Sequence, residues 1–418
     1  MPPQIPQFIF GVHDPDGANV MTSAGKPGWI TVSLKITSDG NDFSALANQG
    51  LGVIARLNNG YGSEGTIPAS SQYDAFAQQC ANFIAGAKGC KIWIIGNETN
   101  LAWERPGNSG GSGGEILTPQ LYAQCFAKCR AAIKKIAGHA DDWVIPSPPA
   151  PWNNQTAYPG NEAGDWIKYF ADILNECIQL GQTPDALAIH TYTHGFKKDL
   201  VTSDEKMGAP FQNRNYHFRA YRDFLSIVPS ALKNVPVLIT ETQAADPDWW
   251  QNQNIGWIQA AYKEINDWNA NSANQAIQAV CLFRWQANAG DPPGWSISNR
   301  AALMDDFRAA MQNAYKVKMP ATQSPPSTPP PSQPPTAQPQ TGAEANAAIA
   351  AAKKFTWMPI NDKAALYLFA QKQNLGYPQT DEFEFTYSGA GYIAQVYNLG
   401  IVYVKKGDYA NVKWVKKG

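Results

Sequence analysis

The chain has 418 residues, which is too long for one ordinary domain, although a single α/β barrel could take up most of them. Its net charge of −1 and its charged fraction of 16% argue against a nucleic-acid or anionic-membrane partner. The sequence has no run of about 20 apolar residues, so we expect no transmembrane span.

The first segment, MPPQIPQF, does not resemble a signal peptide. It fits a cytosolic start as well as a chain that begins after a removed signal. Alternating or apolar runs then predict four strands, and helical patterns separate them. The strands are residues 7–14, 29–36, 52–57 and 91–98, and the helices are 43–48 and about 70–86, the second with Ser70 or Ser71 as its N-cap.

The fourth strand ends abruptly in polar residues. The apolar run from Ile92 to Ile95 is typical of a buried parallel strand, and Asn97 and Glu98 follow it directly. In α/β barrels this carboxyl end of a strand carries the chemistry. The loop 99–117 is rich in Gly and Ser, so we expect it to be mobile and to contact ligand, with Glu104 and Arg105 solvated.

The second half repeats the alternation. It contains predicted strands at 143–146, 186–193, 237–241 and 279–285, and helices at 118–137, 163–180, 212–227, 255–268 and 300–315. Thr118 should cap the first of these helices, with Pro119 at its first position. Eight strands alternating with helices predict an α/β fold, a (β/α)8 TIM barrel covering residues 1–318.

The composition changes after the barrel. Residues 319–341 form a proline-rich linker, predicted to be an extended spacer. Residues 342–418 predict a small α+β domain with helices at 344–353 and 362–373, then strands with turns at 398–400 and 406–408. Such linkers join secreted catalytic modules to binding modules, so we expect an extracellular or cell-wall location.

Two strand-end glutamates stand out in the barrel, Glu98 and Glu241. Glycoside hydrolysis needs two carboxyl groups, one to protonate the leaving oxygen and one to attack the sugar or to activate water. His190 and Tyr192 share one side of the sixth strand. A single strand-end glutamate is more often an ion-pair partner, but this pair with these neighbours favours catalysis.

The motifs GNE at strand four, H-x-Y at strand six, T-E at strand seven and a Trp at strand eight resemble clan A of the retaining glycoside hydrolases. The resemblance implies that Glu98 is the acid/base and Glu241 the nucleophile, with carboxyl groups about 5 to 5.5 Å apart. It also implies that Asn97 binds the sugar 2-hydroxyl and that Tyr192 holds the nucleophile, with His190 beside it.

Two further residues follow from the resemblance. Trp285 matches the platform under the sugar, where the family often has a cis peptide bond, here to Gln286. Many members carry an arginine at strand two that contacts the nucleophile, whereas Arg56 ends our third strand. Either the first strands are miscounted or Arg56 has a different role.

The remaining candidates are mainly aromatic. We expect two or three of five loop tryptophans to be sugar platforms: Trp103, Trp152, Trp249, Trp250 and Trp295. Arg284 should form a structural ion pair behind the barrel wall, and Asp14 and Asn58 are weaker subsite candidates. His190 and His194 are four apart, but strand geometry would not bring them together, so we expect no metal and no cofactor.

The small domain carries a second resemblance. LGYPQTDEF and YIAQVYNLGIVY are similar to LGFP-type repeats of bacterial cell-wall proteins. This implies a module that holds the protein at a cell wall or polysaccharide; the alternative is an appendage that only stabilises the chain. The six cysteines form no C-x-x-C pair, and we expect buried free thiols, with one helix-to-helix disulfide left open.

The leading hypothesis is a monomeric retaining glycoside hydrolase that cleaves β-glycosidic bonds of a poly- or oligosaccharide. One alternative is a non-catalytic carbohydrate- or cell-wall-binding protein on a barrel scaffold, and another is transglycosylation by the same residues. The sequence does not identify the sugar, because specificity depends on where loop side chains converge.

Overall fold

The computed structural model describes residues 2–37, 39–288, 290–318, 342–343, 363–373, 375–376 and 378–417. The chain divides into two compact units between residues 322 and 323. The predicted proline-rich linker at 319–341 and the predicted helix at 344–353 lie outside the described residues.

Eight parallel strands form the first unit. They are β1 (Phe10–His13), β2 (Trp29–Lys35), β3 (Gly52–Asn58), β4 (Ile92–Ile95), β5 (Trp143–Pro146), β6 (Leu187–His190), β7 (Val237–Thr242) and β8 (Ile277–Leu282). Parallel ladders join them in the order β5-β4-β3-β2-β1-β8-β7-β6. The predicted (β/α)8 barrel is therefore confirmed.

The barrel closes where β5 meets β6, a junction we call the seam. Among the described residues no strand ladder crosses it. Instead the Asp185 backbone N–H donates to the Val144 carbonyl oxygen at 3.3 Å. The Asp185 carboxylate accepts from the Val144 N–H at 3.0 Å and pairs with Arg130 at 2.9 Å and Lys134 at 3.0 Å. One backbone hydrogen bond and the ion pairs of Asp185 thus take the place of a strand ladder at the seam.

Helices pack around the strands. They are α1 (Ala18–Ser23), α2 (Ser44–Ala47), α3 (Tyr73–Gly86), α4 (Pro119–Lys134), α5 (Trp166–Gln179), α6 (Ala220–Ser226), α7 (Trp257–Ala270) and α8 (Ala301–Ala310). The predicted cap of α4 is confirmed, because Thr118 Oγ1 accepts from the Leu121 N–H at 3.3 Å.

Two helix predictions were wrong. The helix expected at 212–227 covers only α6, because Asp223 binds the backbone N–H and side-chain amide of Asn215, which holds the preceding segment in a turn. Neither Ser70 nor Ser71 caps α3, because the N-cap position is Gln72. The Ser70 N–H and hydroxyl bind the Glu115 carboxylate, and a 3₁₀ turn (Ser70–Gln72) precedes the helix.

The strands separate two apolar layers. Ile54, Ile92, Ile94 and Leu238 point into the barrel, whereas their neighbours such as Trp93 face the helices. Because side chains alternate along a strand, the inward face of each strand continues to its carboxyl end. On β3 the positions after Ile54 on this face are Arg56 and Asn58. The barrel interior therefore ends in a layer of polar side chains.

The second unit contains α9 (Ala365–Lys372) and four antiparallel strands, β9 (Phe383–Tyr387), β10 (Ala390–Val396), β11 (Gly400–Lys405) and β12 (Lys413–Lys416). Turns at 398–400 and 406–408 follow β10 and β11, as predicted. Aromatic residues such as Phe385 and Tyr403 pack on one face of the sheet, and α9 packs on the other through Leu366 and Ala370. The unit is the expected small α+β domain.

All six cysteines are buried free thiols. Cys80 on α3 and Cys125 on α4 both interact with Cys129 on α4, so three thiols meet between these two helices without a disulfide. Within the described residues, no helix combines the length and apolar character needed to cross a membrane.

Candidate active site

A cleft of about 730 Å³ opens at the carboxyl ends of the strands. Residues at or just after the ends of seven strands line it, including His13, Ser33, Asn58, Glu98, Tyr192, Glu241 and Phe283. Ala150, Pro151 and Trp152 follow the remaining strand, β5. The polar layer at the top of the barrel is thus the floor of this cleft.

A bulge in β7 aims Glu241 into the cleft. Leu238 faces the barrel interior, so in a regular strand Thr240 would face inward and Glu241 outward. The ladder register shifts between Ile239 and Glu241, which inserts an extra residue. As a result Thr240 and Glu241 both reach His190, at 3.1 Å and 3.8 Å.

Two donors hold the buried Glu241 carboxylate. The Arg56 guanidinium donates to Oε1 at 2.7 Å, and the Tyr192 hydroxyl donates to Oε2 at 2.9 Å. Burial alone would raise the pKa of Glu241. Electrostatic interactions with His190, Arg56 and His13 outweigh this effect and hold the pKa well below its usual range. Glu241 is therefore ionised near neutral pH. Arg56 does lie on the third strand, and it contacts Glu241 from there.

Glu98 projects from a strained turn after β4. Gly96 and Glu98 both have left-handed backbone, with φ of 75° and 39°. Gly96 also has no room for a side chain, since a Cβ there would lie 2.7 Å from Ile67 Cγ2. The Glu98 N–H donates to the Pro148 carbonyl oxygen at 3.0 Å, which fixes the turn against the segment after β5.

His190 links the two glutamates. Its Nδ1 lies 2.7 Å from Glu98 Oε1, and its Nε2 lies 3.1 Å from Thr240 Oγ1 and 3.5 Å from Arg56 Nη2. Arginine can only donate, so Nε2 is the acceptor and the ring hydrogen belongs on Nδ1, where it donates to Glu98. This leaves Glu98 Oε2 available to a ligand in the cleft.

One oxygen of Glu98, one oxygen of Glu241 and one nitrogen of His190 lie within 4.8 Å of one another. This spacing could in principle accommodate a metal ion. However, Arg56 and Tyr192 already occupy both Glu241 oxygens, and a guanidinium at 2.7 Å opposes a second cation there. The set is better suited to a pair of carboxyl groups that act on one substrate bond.

An ion-pair network borders the site at β1 and β8. Asp14 accepts from Arg284 Nη2 at 2.8 Å and lies 2.9 Å from His13 Nδ1. Burial would raise the pKa of Asp14, but these two partners lower it. The ion pair predicted for Arg284 exists, but the predicted location was wrong, because Arg284 lines the cleft rather than the outside of the barrel wall.

Three of the five loop tryptophans line the cleft. The Trp152 indole packs 4.2 Å from the His194 ring, and Trp249 and Trp295 meet edge to face at 5.9 Å. Trp250 is 1% exposed and belongs to the core. Trp103 is 56% exposed, is not among the residues lining the cleft, and packs on Gly111.

Trp285 is not where the resemblance places it. Its ring packs beside Gly17, and it does not line the cleft. The predicted cis peptide bond after Trp285 was also wrong, since the cis bond of this segment joins Phe283 to Arg284. Phe283 and Trp295 are the aromatic residues that this region contributes to the cleft.

The loop 99–117 contains residues that the sequence did not assign to the site. Glu104 and Arg105 were predicted to be solvated, but Glu104 is half-buried in the cleft and Arg105 is 5% exposed. Arg105 donates to the Gln155 carbonyl oxygen at 2.5 Å and to Thr156 Oγ1 at 2.8 Å. The Gly-Ser segment folds into a small antiparallel hairpin, in which the two-residue strands Asn108–Ser109 and Ser112–Gly113 pair.

Asn97 and Glu98 lie side by side in the cleft, as predicted, and Asn58 joins them. His13 was missed, although its position at the end of the first strand was the signal that could have found it. Gln243 was missed because it lies beyond the β7 bulge. His194 lies apart from His190, since its Nδ1 is 2.7 Å from the Tyr216 carbonyl oxygen and its ring stacks on Tyr216.

Comparison with known proteins gives structural likenesses only. No family model and no curated protein matches the chain. A glucosidase from Croceicoccus marinus aligns with a TM-score of 0.47 and 11% identity, over 75% of this chain and 69% of that protein. An endo-β-1,3-glucanase from Amycolatopsis mediterranei aligns with a TM-score of 0.40 and 13% identity, over 72% and 99%. A β-xylosidase from Caulobacter crescentus aligns with a TM-score of 0.42 and 14% identity, over 74% of this chain and 68% of that protein.

Proposed function

We propose that the barrel is a retaining glycoside hydrolase that cleaves β-glycosidic bonds of a poly- or oligosaccharide by double displacement. The observation that carries the proposal is the spacing within 4.8 Å of one oxygen from each of Glu98 and Glu241. Carboxyl groups about 5 to 5.5 Å apart fit direct attack on the sugar, whereas inverting enzymes leave about 6.5 to 9.5 Å for a water.

In the first step Glu241 attacks the anomeric carbon and Glu98 protonates the leaving oxygen. Glu241 suits the nucleophile role because it is ionised and fixed by Arg56 and Tyr192. Glu98 suits the acid role because His190 occupies one of its oxygens and leaves the other for the leaving group. The product of this step is a glycosyl ester of Glu241 and a released alcohol.

In the second step Glu98, now ionised, takes a proton from water, and the water oxygen attacks the anomeric carbon and displaces Glu241. The Glu241 carboxylate then returns to the two donors that held it before. Two inversions at one carbon give a product with the configuration of the substrate.

The lining of the cleft supports a sugar substrate. Trp152, Trp249 and Trp295 offer apolar faces, and Asn58, Asn97 and Gln243 offer hydrogen bonds. The apolar edge of a sugar ring and its hydroxyl groups match these two kinds of surface.

Replacement of the nucleophile tests the proposal. We expect Glu241→Ala to lower hydrolysis on the order of 10⁴-fold across a panel of β-glucans, mannans, galactans and cell-wall fragments, measured as new reducing ends. Azide should restore activity to this variant and give a glycosyl azide of inverted configuration, because the small anion enters the space left by the carboxylate.

The controls separate the alternatives. Activity of the wild type should survive a chelator, because the proposed chemistry uses no metal. Full hydrolysis by Glu241→Ala would disprove the assignment. Binding of a panel member by the wild type without hydrolysis would favour the non-catalytic carbohydrate-binding alternative.

For the second unit we propose a role in holding the protein at a cell wall or polysaccharide outside the cell. Its support is the exposure of two apolar side chains in the turns at the two ends of β11, where Leu399 is 60% and Tyr409 is 53% exposed. We expect the full chain to sediment with insoluble wall material, and Leu399→Ser with Tyr409→Ala to reduce the sedimented fraction severalfold. Unchanged sedimentation of this double variant would leave the domain as a stabilising appendage.

A further inference from the structure

Glu104 is a third carboxyl group in the cleft. It ends a 3₁₀ turn (Ala102–Glu104) in the loop after β4. Its backbone carbonyl oxygen accepts from the Thr66 N–H at 3.0 Å, and its N–H donates to the Leu101 carbonyl oxygen at 3.1 Å. The Ala102 N–H, at the start of the turn, donates to Gln155 Oε1 at 2.6 Å.

The residue next to Glu104 also anchors the turn. Arg105 is 5% exposed, and its guanidinium donates to the segment after β5. The backbone on both sides of the Glu104 side chain is therefore fixed by buried hydrogen bonds. The turn presents this carboxyl group to the cleft as a rigid element.

Three other acids that line the cleft have a basic side-chain partner. Glu241 has Arg56, Asp291 has Arg284, and Glu98 has His190. In the described part of the chain no ion pair involves Glu104, and the Asn97 amide is the uncharged side chain that acts on its pKa. A half-buried carboxylate without a cation destabilises a fold, so a site that keeps one has a use for it.

The surroundings of Glu104 keep it uncharged near neutral pH. Burial raises its pKa most, the nearby Glu98 and Glu241 carboxyl groups raise it further, and Arg56 and the Asn97 amide oppose this, giving a pKa of about 8. An uncharged carboxyl group has one acceptor oxygen and one O–H donor. Because Glu104 lines the cleft, its O–H can donate to a ligand there.

We propose that Glu104 is a sugar-binding residue whose carboxyl group donates a hydrogen bond to a hydroxyl of the sugar bound beside Glu98. This inference rests on the proposed glycosidase function and adds a recognition group to that site. The ligand class is a neutral β-linked oligosaccharide, whose hydroxyl groups can accept such a bond. A substrate with a carboxylate at this position would be repelled once Glu104 ionised.

The test measures binding rather than turnover, in a variant that lacks the proposed acid/base carboxyl group. Oligosaccharide binding is measured by calorimetry at pH 6 and pH 9 in a Glu98→Gln background, using β-glucan, mannan and galactan hexasaccharides. We expect Kd to rise about fivefold or more at pH 9, because ionised Glu104 has lost its donor.

Three further variants in the same background complete the test. Glu104→Gln keeps one acceptor and one donor but does not titrate, so its Kd should be the same at both pH values. Glu104→Ala should bind about fivefold more weakly at both. Glu64→Gln, which removes a carboxylate paired with Lys35 outside the cleft, should keep the pH response.

The inference is overturned if Kd does not change with pH, or if it changes equally with and without Glu104→Gln. Neither result affects the glycosidase proposal, which fails if Glu241→Ala still hydrolyses or if the wild type binds the panel without hydrolysing it. A thermal melt checks folding. The folded state holds the Glu104 proton up to about pH 8 while the unfolded chain releases it lower, so stability falls with rising pH in that window, and Glu104→Gln should raise Tm at pH 7.

Discussion

At the scale of single residues, the site depends on how one carboxylate is held. Glu241 is buried, yet its pKa is low because cationic and hydrogen-bond donor groups surround it. The Tyr192 hydroxyl is one such donor, and burial together with the negative charge of Glu241 raises the pKa of this phenol, so it stays protonated as a donor. The pair is thus mutually reinforcing: the carboxylate keeps its donor, and the donor keeps the carboxylate ionised.

This pairing predicts the behaviour of Tyr192→Phe. A hydrogen bond to a charged group is worth about 1.5 to 3 kcal/mol, so we expect kcat to fall about 10- to 100-fold. Loss of a donor raises the pKa of Glu241, and because the nucleophile must be ionised, the acid limb of the pH profile should move to higher pH. Steady-state rates between pH 3 and pH 8 measure both effects.

The matched control is Tyr158→Phe, which removes a hydroxyl that donates to Asp172 at 2.6 Å and is not among the residues lining the cleft. Its pH profile should match the wild type. An acid limb that stays in place in Tyr192→Phe would mean that Arg56 and His190 alone set the charge state of Glu241.

At the scale of elements, irregular backbone aims the side chains of the site. The four non-glycine residues of the described barrel with positive φ all lie at the cleft or bind a residue that lines it: Asp14, Glu98, Trp152 and Trp249. Each of these backbone conformations lowers the stability of the fold by about 1 to 3 kcal/mol, and it persists because surrounding contacts hold the residue in place. The β7 bulge belongs to the same group of features.

The turn before Glu98 gives a test at this scale. Gly96→Ala adds a Cβ in left-handed backbone, 2.7 Å from Ile67 Cγ2, and we expect a loss of about 2 to 4 kcal/mol in the free energy of unfolding. The displaced turn carries Asn97 and Glu98, so kcat should fall with it. Denaturant unfolding and steady-state kinetics on the same preparation measure these effects.

Gly138→Ala is the matched substitution. Gly138 also has positive φ, at 83°, but a Cβ there would meet nothing within 4 Å. Gly138→Ala should lower the free energy of unfolding by about 1 to 2 kcal/mol, which is the effect of the left-handed backbone alone. Its activity should be unchanged. Equal losses of unfolding free energy for Gly96→Ala and Gly138→Ala would show that Ile67 moves away from the new Cβ without lowering stability.

At the scale of the whole molecule, the sequence predicts the barrel well. The reason is that the eight apolar runs become buried strands and the helical patterns between them become the helices that cover those strands. The identity of the strand-end glutamates follows from the same pattern. Features that depend on backbone irregularity do not. The pattern of apolar residues does not record three such features, which are the bulge that turns Glu241 inward, the turn that replaces the start of the helix predicted at 212–227, and the cis bond between Phe283 and Arg284.

Glu104 illustrates the same limit. Its Gly-rich loop has the composition of a solvated segment, but hydrogen bonds to distant residues hold the loop against the barrel, among them those of Arg105 to Gln155 and Thr156. Trp285 shows the converse, since a family pattern predicted a role for a side chain that this structure turns away from the cleft.

The seam predicts how the barrel opens. β2 and β3 have ladder partners on both sides, whereas β5 and β6 each have one. Hydrogen exchange followed by NMR or mass spectrometry should therefore show the slowest amides in β2 and β3 and faster ones in β5 and β6. Asp185→Asn, which weakens the pairs with Arg130 and Lys134, should widen this difference, and equal protection of all eight strands would contradict it.

The seam also has a meaning for catalysis. Glu98 follows β4 on one side of it, whereas His190 on β6 and Glu241 on β7 lie on the other. The hydrogen bond from His190 to Glu98 therefore connects the two sides of the seam. The distance between the Glu98 and Glu241 carboxyl groups depends on how closely these two sides pack. If the barrel opens at the seam, the carboxyl spacing that the proposed double displacement requires widens with it.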